Sequence, residues 1–243
     1  MTLFDRLVHD AARLGGAPAA ALTGPRVGWL GPAVVRDDQL GALGRAQPRG
    51  ETWDLSVVNT GGAGGLLGLG RRTQAALRVV AVESALRDLD DLAGNTARIA
   101  AAARDLPGDP DVFVQIPSAW GWQRAVQAVE AEGLSAKIDA AAGLDAIGDL
   151  LAACVEADLP FKVSGLPVSG LLPLLVVVAA LIDDANPREA TRAGSLPQPE
   201  LAATVREWDA SAQARVRRRL TGCDSPDVPA TGTLLHSLGL LPT

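Results

Sequence analysis

The chain has 243 residues, 48% of them hydrophobic and 21% charged, which excludes disorder and suits one α/β domain with a large core. Twenty-two Lys and Arg against 28 Asp and Glu leave a net charge of -6, so nothing in the bulk charge attracts a phosphodiester backbone and nucleic acid is not an expected partner. The two cysteines, Cys154 and Cys223, build no disulfide framework, and the expected compartment is the cytoplasm.

Along the chain, Met1–Leu14 places Phe4, Leu7, Val8, Ala11 and Leu14 at helical spacing. This predicts an amphipathic helix that plugs one end of the fold or packs on a partner subunit. Asp5, Arg6, His9 and Asp10 interrupt its apolar residues, so it does not read as a secretory leader. Arg26–Leu30 and Asp54–Asn59 are expected as the first two strands. The glycine run Gly61 to Gly65, continuing to Gly70 and followed by Arg71 and Arg72, reads as a mobile active-site loop. A plain connector, or an anion cradle of backbone N–H groups, are the alternatives there.

From Leu77 the pattern becomes regular. Strands are predicted at Leu77–Val82, Val112–Ile116, Leu134–Asp139 and Pro160–Ser164. Helices are predicted between them at Asp88–Arg104, Trp120–Ala131 and Leu144–Ala157. Val163 to Ile182 is uncharged and long enough to cross a bilayer, for which about 20 residues suffice. Gly165, Pro167, Gly170 and Pro173 break its first half, and its flanks carry no basic cluster. A strand end followed by a short buried helix, Leu174–Ile182, is expected instead, with no membrane partner. Past a turn at Asn186-Pro187 and a linker, one helix is predicted from Pro199, with Leu201, Val205, Trp208, Ala212, Val216 and Leu220 inward. A short strand, Leu220–Cys223, and an apolar helix around Leu234–Leu238 close the chain.

Strands recurring roughly every 25 residues, with crossovers of at least about 12, fit βα units. The expected fold is a single (β/α) TIM-like barrel over residues 1–243, with six well-supported strands and one or two weaker ones at the end. An open doubly wound parallel sheet is the alternative, against which stands the lack of a dinucleotide fingerprint.

Of the 22 basic residues only Lys137 and Lys162 are lysines, and they fall at matching places on consecutive predicted strands. Alternation puts Lys137 on one face with Asp139, and Lys162 on one face with Ser164. Arginine cannot replace lysine where the amine must lose its proton. A partly desolvated lysine beside a second cation has a lowered pKa and becomes a nucleophile toward carbonyls. Lys162, Lys137 and Asp139 are therefore the candidate catalytic residues: Lys162 as the amine, Lys137 depressing its pKa, Asp139 moving protons. The plain alternative is that each lysine pairs with a carboxylate such as Asp139 or Glu83.

Asn59, Glu83, Gln115, Ser164 and Cys223 sit at or near predicted strand ends, the face that carries the site in a barrel, and are candidate substrate-binding residues. Cys154 reads as a small core residue. His9 and His236 are isolated, with no second ligand at helical or hairpin spacing, so no metal site is expected. No cofactor is implied.

The segments Val114-Gln115-Ile116-Pro117, Lys137 to Ala142, Pro160-Phe161-Lys162-Val163-Ser164-Gly165-Leu166, Thr221-Gly222-Cys223-Asp224 and Leu238-Gly239-Leu240-Leu241 resemble an uncharacterised actinobacterial protein family. Its pattern reads Val-Glu-x-Pro, Lys-x-Arg-Thr-Gly-Gly, Pro-Phe-Lys-Ala-Thr-Ala-Gly-Leu-His-His, Gly-Ser-Cys-Ser and Leu-Gly-Leu-Leu. Both lysines match. Gln115 stands where the family has glutamate, Asp139 to Ala142 replace its Arg-Thr-Gly-Gly turn, and the paired histidines are absent. The resemblance implies the position of a site, and the departures imply that its chemistry has changed or been lost.

The function expected is a lyase, aldolase or isomerase acting on a small carbonyl substrate through a lysine amine. A non-catalytic barrel, serving as a ligand-binding module or as a subunit of a homo-oligomer or other complex, is the second expectation. A phosphate-ester enzyme gripping its substrate with the Gly61–Arg72 segment is the third.

Overall fold

A computed structural model describes residues 2–15, 27–48, 50–72, 77–117 and 121–241. Eight strands appear in it: β1 (Val8–Asp10), β2 (Leu30–Arg36), β3 (Trp53–Asn59), β4 (Leu77–Ala85), β5 (Asp111–Gln115), β6 (Ser135–Asp139), β7 (Phe161–Ser164) and β8 (Leu220–Ser225). Each pairs in parallel with the next, and β8 pairs with β1, so the sheet closes. This is an α/β barrel of the TIM type, and closure excludes the open doubly wound sheet.

Side-chain alternation divides each strand between the barrel interior and an outer face buried under helices. Val57, Val82, Val114, Ile138 and Val163 point outward and are fully buried against that layer. Their β-branching suits a pleated, two-sided burial. The helices over them are α1 (Leu40–Ala46), α2 (Gly62–Arg72), α3 (Leu92–Ala103), α4 (Trp122–Ala131), α5 (Leu144–Glu156), α6 (Leu171–Ile182), α7 (Pro187–Gly194), α8 (Gln198–Glu207), α9 (Ala210–Arg219) and α10 (Val228–Ser237). α6 is apolar throughout and packs against α5, α7, α8 and α9, which explains its uniform hydrophobicity. No helix among the described residues is long and apolar enough to cross a membrane.

The predicted repeat from Leu77 to Ser164 is present with boundaries shifted by a few residues. α3 starts at Leu92, not Asp88, because the Asp91 carboxylate accepts from the Gly94 N–H at 2.9 Å and caps it there. Trp120, the predicted start of the next helix, lies outside the described residues.

Four expectations are corrected. Residues 2–14 do not form the expected amphipathic α-helix: Arg6 has φ 52°, β1 follows, and a 3-10 turn takes Ala12–Gly15. Leu3, Phe4, Leu7 and Val8 are buried all the same. The barrel needs a strand between β8 and β2, and that closure overrides a helical spacing read from few residues. The strand expected at Arg26–Leu30 begins where that prediction ended, at Leu30; Arg26 lies outside the described residues. The glycine run is helix α2 rather than a mobile loop. The stretch 199–220 is broken at Trp208, and α9 restarts where the Asp209 carboxylate caps the Ala212 N–H at 2.7 Å.

Glycine is required in α2 by a close approach. The Asn59 amide is clamped beneath the helix: its Nδ2 donates to Gly62 O (2.7 Å) and Ser84 Oγ (2.6 Å), and its Oδ1 accepts from Gly61 N (3.1 Å). A Cβ on Gly65 would overlap Asn59 Oδ1. Alanine ordinarily favours a helix interior over glycine by about 1 kcal/mol, so the sign is diagnostic. Gly65→Ala is expected to destabilise the fold by roughly 1–3 kcal/mol through overpacking. In urea unfolding, the Asn59→Ala, Gly65→Ala double variant is expected to lose less than the two single losses together.

Candidate functional site

Strand register sorts the interior side chains into tiers of four, one from every second strand. Following the pairs around the barrel, β1, β3, β5 and β7 contribute His9, Ser56, Phe113 and Lys162 to one tier. β2, β4, β6 and β8 contribute Val34, Glu83, Lys137 and Asp224 to the next tier toward the strand C-termini. Barrels ordinarily fill these tiers with branched apolar residues. Here two ammonium groups, two carboxylates and an imidazole occupy them.

Glu83 is the hub. Its Oε2 takes Lys137 Nζ at 2.6 Å, and its Oε1 takes Lys162 Nζ at 2.5 Å and the Ser56 hydroxyl at 2.6 Å. Lys162 Nζ also meets Asp224 Oδ1 at 2.7 Å and lies 5.7 Å from the centroid of the Phe113 ring. His9 Nδ1 stands 3.6 Å from Asp224 Oδ1, beyond hydrogen-bond length. Lys162 is completely enclosed, Glu83 is 2% exposed and Lys137 6%. Among the described residues, Asp224 Oδ2 and His9 Nδ1 have no hydrogen-bond partner.

Burial alone would push the Glu83 and Asp224 carboxyls up and the Lys162 ammonium down. Paired, they move the other way. Lys162, and then Lys137, hold Glu83 below the usual carboxylate range. Lys162, followed by His9, draws Asp224 down to about 2. For Lys162, Glu83 and Asp224 outweigh burial and the net shift is upward. His9 is lowered by burial and by Lys162, which keeps the imidazole neutral. The network is thus two cations, two anions and a neutral ring.

The two lysines meet, as register implied, but through a shared carboxylate. The depressed Lys162 pKa expected from a neighbouring cation is reversed, because the partners closest to its amine are carboxylates on β4 and β8. Asp139 is not in the network: it is exposed at the end of β6, and its Oδ1 accepts from Ala141 N at 3.0 Å, fixing the turn. Gln115 and Ser164 point inward two tiers above Lys162 and one above Glu83 and Lys137, where the Ser164 hydroxyl lies 3.4 Å from Ile138 O. Asn59 points outward and clamps α2. Cys223 also points outward, and burial pushes its thiol up to about 12, which suits a core residue rather than a reactive one.

Ser56, His9 and Asp224 were not picked out by pattern. Asp224 lies just past the predicted strand Leu220–Cys223; β8 runs on to Ser225, and alternation turns Asp224 inward where Cys223 faces out. His9 had no such signal, since its strand has three residues. The ring needs glycine on both neighbouring strands: a Cβ on Gly31 would come 2.6 Å from His9 Cδ2, and one on Gly222 would overlap the ring. Among the described residues no three His, Cys, Asp or Glu side chains are grouped as a metal would need. No family model matches the chain, and no curated protein is significantly similar to it.

Two outcomes follow from this geometry. Glu83→Gln leaves two buried ammonium groups against one carboxylate, and a loss of about 3–5 kcal/mol in urea unfolding is expected. The pH dependence has a defined sign for each group. Lys162 has a raised folded value, so its contribution is complete below its ordinary 10.5 and is lost as pH climbs through that raised value. His9 is depressed, so its contribution is complete above its ordinary 6.5 and declines as pH falls below it. Asp224 stabilises fully above 3.8 and loses this as pH falls toward about 2. The urea midpoint is expected to be flat between the His9 and Lys162 limits, to fall in acid in two stages, and to lose the first stage in His9→Asn.

Proposed function

We propose that this barrel is a small-molecule lyase, aldolase or isomerase that acts on a carbonyl substrate through a lysine amine. The observation that carries the reading is that both lysines of the chain converge on the one carboxylate of Glu83 inside the barrel. Twenty other basic positions are arginine, which cannot lose a proton to become a nucleophile. Two amines sharing a carboxylate are the parts that carbonyl chemistry needs: a nucleophile, a proton acceptor and a fixed cation.

The contacts support a different division of roles from the one the sequence suggests. Lys162 is enclosed and held protonated by two carboxylates, so it is the fixed cation. Lys137 has one carboxylate partner, sits one tier nearer the strand C-termini and is the amine that adds. Glu83, gripped by Ser56 and Lys162, replaces Asp139 as the proton acceptor. Lys137 passes one proton to Glu83, and its lone pair forms a C–N bond at the substrate carbonyl carbon. The carbonyl oxygen, protonated twice, departs as water and leaves an iminium ion. The iminium draws electrons from the adjacent carbon, which releases a proton or a carbon fragment. The enamine so formed takes up a proton at carbon, which regenerates the iminium, and water then hydrolyses its C–N double bond and restores the amine.

A second reading is a non-catalytic barrel that binds a ligand or a partner chain. Its support is the completeness of the charge matching around the enclosed Lys162, together with Gln115 and the missing histidine pair of the family the chain resembles.

Borohydride reduction in the presence of a panel of aldehydes, ketones and 2-oxo acids separates the two. Mass spectrometry is expected to find a reduced adduct at Lys137, absent in Lys137→Met. No adduct at either lysine across the panel would leave the second reading.

A further inference from the structure

We propose that the ligand chamber of this protein opens at the end of the barrel where the strands begin, and that it receives a small carboxylic acid of the 2-oxo acid type, its carboxylate directed at Arg217 and its carbonyl end led past His9 toward the ionic network that holds Lys137. This deepens the reading of a carbonyl substrate: it rests on that reading for the ketone, while the chamber itself stands on separate observations.

The tier beneath the ionic network is formed by Ala81, Ser135 and Gly222, followed from the same register pairs, and by Pro32, two residues before Val34 on β2. All four are small, and one has no side chain, so the strand-start half of the barrel is not filled as its upper half is. A cavity of about 1680 Å³ reaches into that half. Its walls include His9, Ala81 and Phe113 within the barrel, with Thr221 at the start of β8 and Arg217 at the end of α9. It therefore touches the network at His9, whose ring edge forms part of its boundary.

His9 is 5% exposed, and its Nδ1 has no hydrogen-bond partner among the described residues. Glycines on β2 and β8 flank the ring and keep it in place. A neutral imidazole so held offers one donor and one acceptor. From it the groups continue as Asp224, Lys162, Glu83 and Lys137, with ion contacts of 2.7, 2.5 and 2.6 Å.

Arg217 supplies the charge. Its guanidinium donates to the carbonyls of Leu220 (2.7 Å), Thr221 (3.3 Å) and Asp5 (3.2 Å), and among the described residues no carboxylate forms an ion pair with it. Neutral carbonyls orient the fork, and the Asp5 carboxylate attracts it without an ion-pair contact. The other charges at this mouth are largely matched: Asp54 takes Arg6 at 2.9 Å and Arg78 at 2.7 Å, and Asp5 is held by Thr2 at 2.6 and 2.7 Å. Asp111 lies on the opposite strand wall, and burial together with Asp109 raises its carboxyl. The remaining lining is mainly apolar, including Trp29, Val80 and Phe113. That combination accepts a short apolar body with one anionic end.

Trp29 lines the cavity and reports on its contents, so the test is a fluorescence titration of the full chain with pyruvate, 2-oxobutyrate and 2-oxoisovalerate, with butanone as the neutral control. Saturable quenching by the acids, absent in the Trp29→Phe, Trp53→Phe double variant (Trp53 also lines the cavity) and at least tenfold weaker for butanone, is expected. Ala81→Leu fills the small tier and is expected to weaken acid binding at least tenfold. Val58→Phe fills the interior on the other side of the network and is expected to leave binding within twofold. Thermal melts confirm that both variants are folded, and Pro32→Leu repeats the block if Ala81→Leu does not fold. Equal binding of butanone, or loss of binding in Val58→Phe with Ala81→Leu unaffected, overturns the proposal. Quenching that is sensitive to Ala81→Leu without any borohydride adduct sinks the amine chemistry and leaves the chamber standing. An adduct indifferent to Ala81→Leu does the reverse.

Discussion

One carboxylate shared by two ammonium groups sets the terms for the interior of this barrel. Glu83 lies where water cannot solvate it, and a lone ion there would cost several kcal/mol. It is tolerated because Lys137 and Lys162 take separate oxygens and Ser56 adds a donor. Two cations against one anion leave an excess charge, which Asp224 cancels from the far side of Lys162. With the charges matched, an additional cation would be unwelcome, and His9 accordingly remains neutral. The glycines beside His9, the serine on β3 and the choice of lysine all follow from this arithmetic. A guanidinium at either lysine position would bring five donors into a space with few acceptors.

The legibility of this arrangement divides along the chain. The βα repeat from β4 to β7 is readable because apolar alternation, spacing and breakers agree at each step. The two lysines are readable as neighbours because they lie on consecutive strands, and they pair directly in register. The closure of the barrel is another matter. β1 has three residues, too few to show alternation, and the apolar residues around it happen to fall at helical spacing. Its partners are β2 and β8, and β8 begins more than 200 residues away, so no local pattern announces either the strand or His9.

The direction of the Lys162 shift was illegible for a related reason. Reading strands in sequence order shows Lys162 beside Lys137 and suggests repulsion. The groups that decide its protonation, Glu83 and Asp224, sit on β4 and β8, three strands before it and one after it. Across a barrel interior, tiers bring alternate strands together, and a side chain meets partners that sequence order separates. Glu83 was recognisable as a polar residue near a strand end but not as the hub. Asn59 and Cys223 shared that description and face the helices instead, since position near a strand end does not fix which side of the sheet a residue occupies.

The composition of the interior is itself an argument about function. Replacing a buried ion pair by well-packed apolar residues is often neutral or stabilising by about 1–4 kcal/mol, and small side chains forfeit the dispersion contacts a filled tier would make. An interior selected for stability alone would have the branched apolar tiers that barrels ordinarily carry. This one has two ionic tiers above a tier of Pro32, Ala81, Ser135 and Gly222. Both departures lie along the same axis, and His9 stands where they meet, bordering the cavity on one side and Asp224 on the other. Packing is forgone where the ionic network borders the cavity, and that coincidence is what the proposed ligand chamber rests on.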